Sequence, residues 1–530
     1  MTIALTFIIL LVTTVAILIL RMIRPTFAYH WMVAVLGALL IWPMLLFSNV
    51  SQQTVIKLAL WEPHSIFPAS PAFFMDQFSW SFSLALATLL LSSILIGAAC
   101  SSDPAYLRPT WLDFAVSLAL TAASLLAICA GNLLTLLMVW ALLDLVELVS
   151  RLSKVEGEHA NQRVVLTFSS RIISQVFLFW AVITAHSNLL ELSILSLDPA
   201  VTPFLLLAVG FRLDVPSLSS AGRSQVTLPS GHASTLNLIS LASSLVLLCR
   251  VASVGVPSSW TSPLLVIVSL AALFGSVKWI TQADGQEGQT GWIIALSALA
   301  FAAALRMQPG ACQSFGLALL LGGGLLFLFN IRVRWLLPLL LVGALSISGL
   351  PWTPTWSIVQ LYAAPFRPIL VLLLVSQGLV LAGYLRFALQ TAQKPSGLQR
   401  WVWALYIWGL ALLPLAFLII AWRSLRSSQE LLQPHPGLLE SWPGWVILFM
   451  AVIFILPARG KFQLPGWLLR ALRAFQNLDW LYRLIRSLPG VAQFFFRWSN
   501  TLLESQAGIL WAFLLLVLLL TLFSQSNLGR

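Results

Sequence analysis

Hydrophobic runs of about 20 residues recur along the whole of this chain, and they limit what it can fold into. They lie near 3–20, 31–48, 78–98, 111–129, 131–150, 164–186, 199–213, 235–254, 262–280, 291–307, 313–330, 335–352, 366–390, 401–421, 443–457 and 506–524. A helix of about 20 residues rises roughly 30 Å, the thickness of a bilayer's hydrocarbon core. Of the 530 residues, 59% are hydrophobic and 9% are charged, whereas a soluble domain carries about 25% charged residues. Too little polar surface is left to enclose this apolar mass in water. The runs predict an all-α polytopic membrane protein of about 16 transmembrane helices. The runs at 199–213 and 335–352 are short and end near Pro or Gly, the pattern of broken helices. The first run has no polar start and no small-residue cleavage site, so it is expected to be a retained span.

The net charge is +12. In a soluble protein that balance suggests nucleic acid, but here the basic residues sit in short loops and read as the positive-inside bias, so no nucleic-acid partner is expected. Arg21 and Arg24 follow the first run. Alternate loops then carry Arg108; Arg151, Lys154 and Arg163; Arg223; Lys278; Arg332 and Arg334; Lys394 and Arg400; and the basic stretch from Arg459 to Arg497. Arg423 and Arg426 are the exceptions. A cytoplasmic basic side puts both termini outside. Between Lys461 and Glu504, arginines alternate with Trp467, Leu468, Leu472, Phe475, Trp480, Leu481 and Ile485. This suits an amphipathic helix lying among lipid headgroups at the interface. Cys100, Cys129, Cys249 and Cys312 form no close pair in sequence and read as small core residues.

Several short stretches, in order, resemble one family. Phe74-Met75-Asp76-Gln77-Phe78-Ser79 resembles a Val-Asp-Gly-Leu-Ser helix opening. Gly131 to Trp140 resembles a helix that ends in Trp-Glu, with Ala141 at the Glu position. Ser170-Arg171-Ile172-Ile173-Ser174 resembles Asn-Arg-Val-Gly-Asp. Gly210 to Pro216 resembles a break before a Pro-rich loop, with Phe211 at a Lys position. Leu241 to Arg250 resembles a helix with a central Lys or His, for which Ala242 is the equivalent. Thr281-Gln282-Ala283-Asp284 resembles Gln-Thr-Asp-Leu-Lys. Ser348 to Pro354 resembles Gly-Leu-Pro-Gly-Thr at a second break, beyond which Val359 takes a Lys or Glu position. Asp479-Trp480-Leu481-Tyr482 resembles Asp-Xaa-Leu-Tyr near the last helix. The family is that of the antiporter-like membrane subunits of respiratory complex I and of Mrp-type cation/proton antiporters, and the chain resembles a degenerate member. The resemblance implies an antiporter-like fold with two broken helices, other membrane subunits as partners, and a prokaryotic plasma membrane as the location. On this reading residues 1–110 are N-terminal helices and 111–400 an antiporter-like core. Residues 401–530 are C-terminal helices with the interfacial segment at 461–504.

Moving protons through an apolar core requires buried groups whose ionisation can be brought near ambient pH, which Lys and Glu provide. The resemblance makes Ala141, Phe211, Ala242 and Val359 vestigial relay positions, none of which titrates. Other charges remain in the apolar runs, and intramembrane charges are candidates by default. Asp144 lies one turn beyond Ala141, about 60° round the helix. Glu147 is one turn further and can pair with Arg151 at i+4. Arg171 enters its own run to a similar depth, so an Asp144–Arg171 ion pair is expected, more structural than functional. Arg212 and Asp214 flank the first break and read as charges at a loop end, or the mouth of a vestigial half-channel. Arg250 and Arg306 read as snorkelling anchors. The six histidines lack ligand spacing, and no metal, nucleotide, flavin or quinone site is visible, so no cofactor is expected.

Three functions follow in order. The first is a mainly structural subunit of a complex I-like or Mrp-like assembly, with an incomplete proton path. The second is a translocator rewired through Asp144, Glu147 and Arg171. The third is an unrelated transporter with a polar cluster at the bilayer midplane. A stand-alone enzyme is not expected, which leaves open a membrane subunit of an NADH:quinone oxidoreductase-type translocase.

Overall fold

The computed structural model describes residues 2–24, 29–48, 55–57, 70–100, 110–152, 158–187, 192–215, 232–282, 285–329, 336–363, 365, 367–389, 400–428 and 437–458. All of them belong to one compact unit, Met1–Leu464. The expected interfacial segment at 461–504 and the run at 506–524 lie outside the described residues. Apolar side chains favour burial and lipid cannot hydrogen-bond a free backbone, so the apolar runs coil into helices. In chain order these are α1 (Thr2–Ile23), α2 (His30–Leu46), α3 (Gln77–Cys100), α4 (Trp111–Ile128), α5 (Leu133–Leu152), α6 (Glu158–Ser187), α7 (Thr202–Arg212) and α8 (His232–Val254). There follow α9 (Ser258–Thr281), α10 (Gly285–Leu305), α11 (Pro309–Leu317), α12 (Gly323–Phe327), α13 (Leu337–Ser348), α14 (Ile369–Ala388), α15 (Arg400–Ser428) and α16 (Trp442–Ala458). A π turn, Ala318–Gly322, joins α11 to α12 in one span, Pro309–Phe327.

Among the described residues, eleven helices are long and apolar enough to cross a membrane. That is fewer than the 16 crossings expected. Four further apolar helices are shorter: α2, α7, α13 and α16. With 11 and 12 residues, α7 and α13 rise only about 16–18 Å, too little to cross alone. Backbone geometry ends both abruptly. Asp214 after α7 has φ 55°, Gly349 after α13 has φ 66°, and Trp352 beyond it has φ 59°. A 3-10 helix, Trp356–Tyr362, then leads towards α14.

Burial ranks the helices. The central window of α3 is 94% buried and that of α1 only 22%, so α3 is a core helix and α1 a peripheral one. Several buried α3 hydroxyls find partners, whereas that of Ser83 has none. Thr88 bonds back to the Leu84 carbonyl at 2.7 Å and accepts from Trp42 Nε1 at 3.0 Å, and Ser79 reaches the Ile128 carbonyl at 3.0 Å. Small residues bring backbones together, as is usual between membrane helices. A Cβ on Gly291 would stand 2.7 Å from the Trp279 nitrogen and 2.9 Å from the Gly275 carbonyl, so α9 and α10 meet backbone to backbone.

The expected helix from 131 begins instead at Leu133, because Gly131 and Asn132 are extended. A short antiparallel pair, β1 (Ile56–Lys57) and β2 (Ala72–Phe73), extends through Gly131 N–H to the Ala72 carbonyl at 2.7 Å. Asn132 bridges onward, its Nδ2 donating to the Ser70 carbonyl at 2.7 Å. Hydrophobic periodicity cannot reveal this knot, since its bonds are made by backbone and by polar side chains. Two cysteines distant in sequence also meet: Cys249 on α8 and Cys312 on α11 place their sulfurs 3.4 Å apart. Both are buried free thiols, the small core residues expected, and their proximity is a feature that the sequence does not show.

Three arginines have partners that their positions in the sequence do not suggest. Arg423, an exception to the charge pattern, donates to the Leu46 and Ser48 carbonyls at 3.2 and 2.6 Å and stacks over Trp80 at 4.4 Å. It therefore satisfies the carbonyls at the C-terminus of α2. Arg306 holds the Ala363 and Pro365 carbonyls at 2.7 and 3.1 Å, anchoring the chain beyond the 3-10 helix. Arg250 is buried within the bundle. Arg250 is therefore not the snorkelling anchor expected.

Candidate functional site

The main concentration of buried charge lies where α5, α6, α7 and the first half of α8 pack together. The 3.6-residue period puts Trp140, Asp144 and Glu147 on the inward face of α5, and all three are buried. The α6 period turns Arg171, Ser174 and Gln175 towards them. The last residue of α7, Arg212, enters from the third side and is 1% exposed.

The pairing differs from expectation. Asp144 pairs with Arg212, not Arg171. Arg212 Nη2 lies 2.6 Å from Asp144 Oδ1 and Nη1 lies 2.9 Å from Oδ2, a two-pronged contact. Gln175 Nε2 donates to Asp144 Oδ2 at 3.0 Å. The Arg212 guanidinium also stacks over the Trp140 ring at 4.5 Å, while Trp140 Nε1 donates to Ser243 Oγ at 3.0 Å. Arg171 turns to Glu147, with Nη2 3.6 Å from Oε2, and Nη1 donates to the Arg212 carbonyl at 3.0 Å. Among the described residues, Asp144 and Arg171 form no ion pair within 4.0 Å. Arg212 is closer because α7 ends inside the bundle and delivers a flexible side chain directly opposite Asp144. It stands at the end of α7 as expected, but buried and paired and not exposed in a loop.

Glu147 is bonded to Arg151 as the i+4 spacing anticipates. Arg151 continues to Asn237 Oδ1 at 2.9 Å. Asn237 Nδ2 reaches Gln289 Oε1 at 3.4 Å, and Gln289 Nε2 donates to the Ser234 carbonyl at 2.7 Å. Arg171 Nη2 also donates to Ser240 Oγ at 3.4 Å. Gln175, Asn237, Ser240 and Gln289 are not singled out by a first reading of the sequence. Gln175 follows Arg171 by four residues and so shares its face, a usable signal; the others become relevant only once α8 and α10 are packed. A cavity of about 10 Å³ beside Glu147 is lined by Asp144, Arg151, Val164, Thr167 and Arg171 among others, which is about the space of one water.

Among the described residues, this hydrogen-bonded chain stops at Gln289. One turn on, Trp292 enters an aromatic cluster. Its ring lies 5.3 Å from Trp279 and 5.7 Å from Tyr384, and Trp279 lies 4.6 Å from Phe387. All four are buried. Both indole nitrogens are taken by backbone carbonyls, of Leu319 and Val380, each at 3.2 Å.

The four vestigial relay positions do not share one axis. Ala242 and Val359 are buried. Phe211 is half-buried and stacks on Phe177 with centroids 5.5 Å apart. Ala141 is exposed on the outer side of α5, because Trp140 and Asp144 take the inward face. Its placement on a central axis is therefore corrected.

A second cluster lies about 20 Å along α8 from Asn237, thirteen residues on. Arg250 reaches Asp76 at 3.2 Å and Ser79 Oγ at 2.7 Å, and stacks over Phe74 at 4.5 Å. Asp76 in turn accepts from the Ser79 amide at 2.7 Å, capping α3. The two clusters fasten opposite ends of the bundle.

No family model matches the chain, and no curated protein sequence does. Solved structures do. A chain of the Mrp complex from Dietzia sp. DQ12-45-1b superposes with a TM-score of 0.70 at 14% identity, over 99% of this chain. This chain spans 63% of that one's length. A chain of respiratory complex I from Thermus thermophilus with bound aureothin gives 0.57 at 19% identity, covering 78% of this chain and 97% of that one. A chain of the membrane-bound sulfane sulfur reductase, an archaeal respiratory membrane complex, gives 0.63 at 14% identity, covering 97% and 99%. At these identities the likeness establishes the fold: the chain has the helical architecture of the antiporter-like membrane subunits.

Proposed function

We propose that this chain is a degenerate antiporter-like subunit of a complex I-like or Mrp-like membrane assembly, mainly structural, with an incomplete proton path. The observation that carries the reading is the Arg212–Asp144 pair. An arginine stays charged in proteins and releases no proton. Held by two prongs and an indole face, this one is a fixed counter-charge bound to Asp144. Ala141, Phe211, Ala242 and Val359 supply no replacement carrier, and in the cluster beyond Gln289 both indole N–H groups are taken by backbone carbonyls, with the Tyr384 hydroxyl its one polar group without a hydrogen-bond partner. The short helices α7 and α13 are, on this reading, the inner halves of two broken helices. The basic loops are cytoplasmic and both termini lie outside. The partners are other membrane subunits, with the 461–504 segment set among lipid headgroups at the interface.

One observation favours a second reading, a translocator rewired through Asp144, Glu147 and Arg171. It is the water-sized cavity beside Glu147. Flux separates the two. Vesicles containing the chain with its natural partners are assayed for proton- and sodium-driven flux, with wild type and Asp144→Asn at matched protein level. Unchanged flux supports the structural role. Loss of flux with full assembly supports the rewired path.

A further inference from the structure

We propose that Cys249 and Cys312 are joined by a disulfide in the mature protein, stapling α8 to α11. The sulfurs are 3.4 Å apart, at contact distance, although the residues are separated by 63 positions. A disulfide spans about 2.05 Å, so each sulfur must shift by only roughly 0.7 Å. Both side chains are fully buried, and nothing else in the site described above uses them.

Their depth places them at one end of the bundle. Cys249 is five residues from the end of α8 at Val254, and Cys312 lies in the first turn of α11. This is the end held by Arg250 and Asp76, opposite the Asp144–Arg212 cluster. The proposal rests on the orientation given above, which turns this end outward, where compartments are oxidising. The step is thiol–disulfide exchange with an oxidised protein dithiol of that compartment. One cysteine attacks the oxidant's disulfide and the second resolves the mixed disulfide. The chain loses two electrons and two protons, and the oxidant leaves as a dithiol. Because the closed core admits no reagent, the exchange precedes the final packing of α11, and the finished bond is sealed from reductant.

The staple joins two anchored pieces. Arg250 ties α8 to the start of α3. The first turns of α11 hold the 3-10 helix through Ser314 and Ser357, whose hydroxyls are 2.6 Å apart, and Ser357 also donates to the Gly310 carbonyl at 3.0 Å. A covalent link at this point fixes the second break to the core.

The test uses the wild-type protein. Cells are denatured directly in detergent with N-ethylmaleimide, and the purified chain is analysed by mass spectrometry before and after reduction. Two of the four cysteines should alkylate before reduction and all four after it, with one peptide pair linking Cys249 to Cys312. Four alkylations before reduction overturn the staple. A companion variant, Ser258→Cys with Cys100, Cys129, Cys249 and Cys312 each changed to Ser, reports orientation through an impermeant maleimide, since Ser258 is exposed beyond α8. No link with Ser258→Cys labelled from outside overturns the staple and leaves the orientation standing. No link, with labelling only in inverted vesicles, overturns both.

Discussion

Removing Asp144 leaves the Arg212 guanidinium buried with no carboxylate, and the structure sets the scale of that loss. Two charge-assisted hydrogen bonds disappear, at 2.6 and 2.9 Å, each worth about 1.5–3 kcal/mol. The Trp140 face still holds the cation, which keeps the loss near the lower end of the range of about 3–5 kcal/mol for breaking a buried pair. Asp144→Leu and Arg212→Met should therefore each cost about 3 kcal/mol, roughly a 150-fold change in the folding equilibrium. The double variant replaces the pair by apolar groups of similar size and should be close to neutral. Unfolding in mixed micelles measures the cycle, with an expected coupling of about 6 kcal/mol, the two single losses less a double variant near zero. A parallel cycle of Asp144→Leu with Arg171→Met should show coupling below about 1 kcal/mol, because Arg171 pairs with Glu147. Additive losses for Asp144 and Arg212, or stronger coupling to Arg171, would refute the reasoning.

Asp76→Asn should loosen the opposite end by about 3 kcal/mol, with most of the loss recovered when Arg250→Met is added, in the same unfolding assay. Gly291→Ala should destabilise by about 1–3 kcal/mol, because its Cβ meets backbone atoms of α9 that cannot rotate away; Gly437→Ala, with nothing within 4 Å, should be silent. Arg423→Met should lower the thermal midpoint by stranding the Leu46 and Ser48 carbonyls, at a cost of about 1–3 kcal/mol, and Arg423→Lys should restore only part of it. A cysteine introduced at Ser499 should resist labelling from outside intact cells, and efficient labelling there would reverse the proposed orientation.

The length of an apolar run is set against the thickness of a bilayer, a comparison along one dimension that needs no tertiary information. The sequence by itself therefore determined the membrane class, the places of the helices and the order of family-like stretches. It also exposed the absence of Lys and Glu at Ala141, Phe211, Ala242 and Val359, since a missing titratable group is missing at any rotation. The i+4 pair Glu147–Arg151 was legible for the same local reason. Helix rotation was not legible, because lipid takes apolar side chains as readily as the core does, so a helix such as α5, only half buried, carries no polar outer stripe to show which side faces inward. Only packing decided that Ala141 faces outward while Asp144 faces Arg212, 68 residues away. Only packing brought Cys249 against Cys312 and set Arg423 beneath α2. In each case a long side chain or a pair of small ones answers to whatever atom the neighbouring helix presents, and the identity of that atom exists only in three dimensions.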